Sequence, residues 1–252
     1  PDRYGKLLEE QFNSAYTPTE EQLSNLEEGK QQLINFYNSS EYGKRLESGL
    51  NIPSNEALDY QNKLINAINK TNVRYLQSQN LGSIESDAIA YTSGADASGT
   101  KLGIDFSKRG LNRPDAKYVV SHEFGHASLF DNKTQKLLEN LPKLELDSET
   151  LKLWESEAAK PGGERYKDLI KYYKNPDEAR QRGISTILFS KNSGISIDEL
   201  VDMSYNQIIY LNQQGKIPSD VVSLRQLYDQ KQLKSYLKNL FSIVGPIVIG
   251  GL

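Results

Sequence analysis

Ser121-His122-Glu123-Phe124-Gly125-His126 holds both histidines of a 252-residue chain. Residues four apart on a helix lie one turn above each other on the same face. Two imidazoles placed that way can share one metal ion, and a glutamate beside the first can reach a water on that ion. The stretch is therefore expected on a helix, as one side of a metal site. His122 and His126 would be ligands and Glu123 the general base.

The flanks support a helix. Asn112-Arg113-Pro114-Asp115 puts a proline and an acid where a first turn tolerates them. Lys117 to Phe130 then runs without a breaker except Gly125. Val119, Val120, Ala127, Leu129 and Phe130 make much of the surface apolar, so the helix is expected to be mostly buried, and buried histidines need partners. Gly125 costs a helix about 1 kcal/mol relative to alanine. Its missing side chain would let another element approach closely, or would serve ordinary helix packing.

Just upstream, residues 84–107 change character. Asp87 to Thr92 and Lys101 to Phe106 read as extended, with a turn-rich Ser93 to Gly99 between them. This predicts a hairpin whose second strand runs beside the motif helix. An exposed edge there could pair with an extended peptide, or the hairpin could simply cover the helix. Residues 1–80 read as a helical portion. Thr17-Pro18-Thr19-Glu20-Glu21 carries a capping signal, with breaks at Ser39-Ser40 and Asn51-Ile52-Pro53-Ser54. Leu58, Leu64, Ile65 and Ile68 are the expected buried positions of its third helix.

Downstream of Asp131 the chain reads as helical and polar, broken at Pro142 and Pro161-Gly162-Gly163. It restarts at Glu164, Asn175-Pro176 and Ser196. The apolar run Leu240 to Leu252 is too short to span a bilayer, which needs ~20 residues, and contains Pro246. It is expected as a buried C-terminal strand or extended segment, or as the cut edge of a longer protein, with a membrane-inserting tail as the lesser alternative. No signal peptide opens the sequence, which begins Pro1-Asp2-Arg3, so a processed product or fragment is expected.

The net charge of −3 gives no reason to expect nucleic acid or an anionic membrane as partner. The chain has no cysteine, which excludes disulfides, cysteine nucleophiles and thiolate metal sites. Catalytic zinc takes three protein ligands and keeps one position open. With both histidines used and no cysteine, the third ligand must be Asp or Glu, unless the site is incomplete. Glu178 is the first choice: it opens a helix in Asn175-Pro176-Asp177-Glu178-Ala179-Arg180-Gln181-Arg182. The same carboxylate could instead cap that helix, with Asn175 as N-cap, or pair with Arg182 four residues on. Asp177, Glu164, Glu157 and Asp131 are weaker candidates, Asp131 better suited to accept a histidine N–H. Tyr173, Arg180, Tyr205 and Tyr210 are candidates to stabilise an oxyanion.

His122-Glu123-Phe124-Gly125-His126 resembles the active-site helix of zincin metallopeptidases. With Glu178 downstream, the chain is similar to their gluzincin branch. The resemblance covers about Leu102 to Phe130 and, more loosely, Asn175 to Arg182. No third histidine follows, so the metzincin pattern is absent. The resemblance implies an α+β, mainly helical fold, with a small antiparallel sheet or hairpin before the motif helix and a helical C-terminal part. It divides the chain into residues 1–80 and a zincin-like domain over 81–252, in one compact unit. It implies Zn2+ as cofactor, peptide or protein as substrate, and hydrolysis with Glu123 as base. A fainter similarity to zincin-like domains of phage and mobile-element proteins implies membership of a larger assembly, secreted or virion-associated. It leaves open a catalytically silent structural protein.

Overall fold

The computed structural model describes residues 15–77, 90–93, 103–128 and 144–244. Helix α1 (Glu20–Tyr37) begins where the capping signal lies. Thr19 Oγ1 accepts the Gln22 N–H and Gln22 Oε1 accepts the Thr19 N–H, so two end donors are satisfied reciprocally. Ser39 caps α2 (Ser40–Leu50), which ends at Asn51 in the left-handed region with φ 53°. Helix α3 (Ser54–Lys70) buries Ala57, Tyr60, Leu64 and Ile68. Leu58, expected inside, is 54% exposed: burial follows Ala57, Tyr60, Leu64 and Ile68, and Leu58 falls outside that stripe.

Strand β1 (Asn72–Leu76) follows within a stretch read as helical. It pairs in parallel with β3 (Gly103–Ser107), while β2 (Ala90–Ser93) pairs antiparallel with β3 on its other side, giving the order β1-β3-β2. The expectation of an antiparallel sheet is therefore corrected: β1, contributed by the N-terminal portion, runs parallel to the central strand. The physical reason is the connection. The chain leaves β1 and returns through β2 before laying β3 between the two. Strand β3 thus has both edges occupied and cannot offer one to a peptide. The outer side of β1 receives the Tyr16 N–H at Tyr75 O, and among the described residues β2 is the remaining edge.

Ser107 Oγ accepts the Gly110 N–H and starts the single turn α4 (Lys108–Leu111), which leads into α5 (Ala116–Ser128), the motif helix. Helix α5 is surrounded. It packs on α1, on α3, on the sheet and on α8 (Pro176–Ser193). On the α1 side the approach requires Gly29, where a Cβ would stand 2.3 Å from Lys117 O; Ser121 Oγ donates to Gly29 O across the same seam.

The remaining elements are α6 (Ser148–Ala158), α7 (Glu164–Tyr173), α9 (Ile197–Asp202), α10 (Tyr205–Gln213), α11 (Ser219–Leu227) and α12 (Gln230–Val244). Leu240 to Val244 belong to α12, so the start of the C-terminal apolar run is helical and not extended. Helix α12 puts Leu233, Tyr236, Leu237 and Leu240 into the core, and such spacing belongs to a helix.

One hydrophobic core joins Leu33, Phe36 and Leu64 of the N-terminal helices to Phe106, Phe124, Ile187 and Leu240. Core and sheet both cross residue 80. The fold is mainly helical with a small sheet. Among the described residues, no helix is long and apolar enough to cross a membrane.

Candidate metal centre

His122 and His126 share one face of α5, as their spacing requires, and their Nε2 atoms lie 3.1 Å apart. Helix α8 brings the third group. Its start is set by Asn175, whose side chain accepts the Asp177 N–H, with Pro176 in the first turn. Glu178, one turn in, turns to the histidines: Oε1 is 3.4 Å from His126 Nε2 and Oε2 is 3.6 Å from His122 Nε2. The two helices meet this closely because position 125 is glycine. A Cβ there would stand 2.1 Å from Gln181 Oε1 of α8, and Gln181 is 1% exposed.

The donor atoms fit a small divalent ion. One atom from each of His122, His126 and Glu178 lies within 4.8 Å of the others. Zinc bonds of about 2.0–2.1 Å place neighbouring ligands of a tetrahedron roughly 3.3–3.4 Å apart. The separations of 3.1, 3.4 and 3.6 Å bracket that edge. Glu178 Oε2 is buried and makes no hydrogen bond of normal geometry, although Arg182 Nη2 lies 3.2 Å away. Two imidazoles and a carboxylate suit zinc, and imidazole also serves copper, iron and nickel.

Behind the donors lies a carboxylate that sequence reading missed. Asp220, at the start of α11, stands 3.1 Å from His122 Nδ1. A carboxylate on Nδ1–H holds the ring and leaves Nε2 as the lone-pair donor. Asp220 is itself placed from the other end of the motif helix: Asp115 Oδ2 accepts the N–H of neighbouring Ser219 at 2.7 Å. Asp115 is 3% exposed and is also held by Arg113, with Nε to Oδ1 at 2.8 Å. Pro114 packs against Gly215, whose φ of 68° suits glycine. Only a first-turn acid marked Asp220 in the sequence, and such acids commonly complement a helix dipole. Asp131, the sequence candidate for this role, lies outside the described residues.

Electrostatics agree with the geometry. Burial lowers the His122 pKa, but Asp220, by charge and hydrogen bond, with Glu178 and Glu123, outweighs it and raises it to about 10. Burial raises that of Glu178, but hydrogen bonds and charge from His122 and His126 hold it well below the usual carboxylate range. Tyr172 is 39% exposed, and its hydroxyl hydrogen-bonds Glu178. Burial pushes that hydroxyl well above the ordinary tyrosine value; the charge of Arg182 opposes this, and the charges of Glu178 and Glu123 add to it.

The other sequence candidates lie apart from the donor set. Asp177 pairs with Arg180 at 2.9 Å, Glu157 with Lys160, and Glu164 opens α7. Tyr173 stacks on Trp154, and its carbonyl accepts the Tyr228 hydroxyl. Tyr205 and Tyr210 are exposed. Tyr172, not named from the sequence, is the tyrosine beside the centre; its neighbour Tyr173 was the nearest guess. No family model, no curated protein and no solved structure matches this chain.

Proposed function

We propose that the chain is a zinc-dependent peptidase in which His122, His126 and Glu178 hold the metal. The observation that carries this reading is the convergence of the three side chains on helices fixed by Gly125 and Gln181: the imidazole Nε2 atoms lie 3.1 Å apart, and each lies 3.4 or 3.6 Å from one of the two Glu178 oxygens. His122, His126 and Glu178 would hold the ion, and with zinc bound the site would have a Lewis acid able to polarise a substrate carbonyl and to make water deprotonable near neutral pH. Glu123 follows His122 on the motif helix, is partly exposed, and acts electrostatically on both His122 and the Tyr172 hydroxyl. In this reading it accepts the proton of the attacking water and returns it to the leaving amine. Tyr172 donates its O–H to the carbonyl oxygen as negative charge develops there. Asp220 keeps His122 in the tautomer that presents Nε2 inward. Strand β2 packs against α5, and a peptide lying along its edge is the substrate arrangement this fold supports best.

Zinc content and one substitution test the proposal together. The protein, stripped by chelator, is expected to take up one equivalent of zinc. Glu123→Gln should keep that zinc and lose peptide hydrolysis. Cleavage surviving the substitution removes Glu123 as base; absence of zinc uptake removes the centre. The Arg182–Glu178 pair favours a second reading, a silent scaffold of assembly proteins, because it can partly satisfy Glu178 without metal. Zinc uptake without hydrolysis by the unaltered protein, across a diverse peptide library, would select that reading.

A further inference from the structure

A buried guanidinium, that of Arg182, lies against the donor set. Arg182 is 5% exposed in its side chain. Nη2 lies 3.2 Å from Glu178 Oε2, and Nε lies 3.9 Å from Asp220 Oδ1. Its Cζ stands 5.0 Å from the ring centre of Tyr172 and 4.9 Å from that of Tyr173. Nη1 is buried without a hydrogen-bond partner. A pair with Glu178 alone, four residues back on α8, would be an ordinary intrahelical contact. Reaching Asp220 of α11 and the tyrosines ending α7 as well is not.

The two acids stand at opposite nitrogens of the His122 ring, Glu178 at Nε2 and Asp220 at Nδ1. Glu178 faces both histidines from the front, and Asp220 holds His122 from behind. A planar guanidinium can address two carboxylates with separate N–H groups and present its flat face to aromatic rings; an ammonium does neither. Its charge also offsets one of the two carboxylates that the low-dielectric interior would otherwise hold against each other.

We propose that Arg182 is a positioning residue of the metal centre, whose guanidinium sets Glu178 and Asp220 relative to one another and fixes the end of α7 that carries Tyr172. This rests on the metal-site reading above. It predicts that metal affinity depends on the shape of residue 182 as well as on its charge.

The test is zinc affinity of the intact protein, measured by chelator competition at a temperature where each variant is folded by circular dichroism. Arg182→Lys keeps the charge and is expected to bind zinc about 10- to 100-fold more weakly, the range typical of lost supporting contacts. Adding Asp220→Asn should then cost less than it does in the unaltered protein, because Arg182 acts partly through Asp220. A purely structural arginine would give additive losses. Zinc affinity within threefold of the unaltered protein in folded Arg182→Lys overturns the proposal, as does strict additivity. Should the lysine variant not fold, the Arg182 Nε–H resonance of the unaltered protein decides. It is expected to exchange slowly and to shift on zinc addition, and a resonance unmoved by saturating zinc overturns the role. Failure of the underlying reading is seen separately, as no zinc uptake by the unaltered protein.

Discussion

Replacing Gly125 by alanine sets two effects of known size against each other. Alanine within a helix is favoured over glycine by about 1 kcal/mol. The new Cβ, however, would sit 2.1 Å from Gln181 Oε1 and 3.0 Å from its Cδ. Reaching a contact distance of ~3.5 Å needs roughly 1.4 Å of movement. Gln181 is 1% exposed, so its amide must swing through packed interior or α8 must shift. Overpacking of this kind costs about 1–3 kcal/mol, which exceeds the helix gain over most of that range. A shift of α8 would carry Glu178 with it and lengthen contacts now at 3.4 and 3.6 Å, moving both further from the roughly 3.3–3.4 Å edge that zinc requires. Gly125→Ala is therefore expected to lower metal-free stability by up to about 2 kcal/mol and zinc affinity at least tenfold. Urea unfolding in chelator and zinc competition at 25 °C measure the two. Trimming the opposing side chain in Gly125→Ala/Gln181→Ala should restore much of the affinity. A single alanine variant as stable and as zinc-avid as the parent would refute the reasoning.

Other outcomes follow from the same geometry. Asp220→Ala removes the partner of His122 Nδ1 and should weaken zinc by about 10- to 100-fold with the fold intact; unchanged affinity would dismiss the supporting role. Asp115→Ala leaves the Ser219 N–H and Arg113 without their acceptor and should cost roughly 1–3 kcal/mol of stability by chemical denaturation. Because the His122 pKa is raised from 6.5 to about 10, its contribution to metal-free stability is complete below pH 6.5 and fades as pH climbs to 10. Zinc needs the neutral ring, so binding at pH 8 should release a proton from His122, seen as binding enthalpies that differ between buffers of unlike ionisation heat; equal enthalpies would contradict the raised pKa.

The histidine pair was legible because a helix turns spacing into geometry: residues 122 and 126 had to share a face once the segment was helical. Glu178 was legible as a candidate, though the same position suited a cap; tertiary approach of α8 decided its direction. Asp220 and Tyr172 could not be read, because each looks ordinary along the chain and gains meaning only from contacts far away in sequence. Strand β1 was hidden for a related reason. Five residues directly after a helix carry too little alternation to be distinguished, and parallel pairing with β3 supplies what local propensity lacks. Leu58 was misplaced because burial is set by which face the neighbouring helices cover, and leucine alone does not reveal that face.

The bond from Asp220 to His122 spans 98 residues of chain. Synthesis proceeds from the N-terminus at about 5–20 residues per second, so both histidines emerge roughly 5–20 s before their supporting acid exists. Throughout that interval His122 lacks Asp220, and Asp115 lacks the Ser219 N–H through which it places that acid. A completed centre is thus a late event in the life of each molecule. If the proposed centre takes up metal, metal met earlier would find His122 without its supporting acid, and loading is then expected to follow folding rather than guide it.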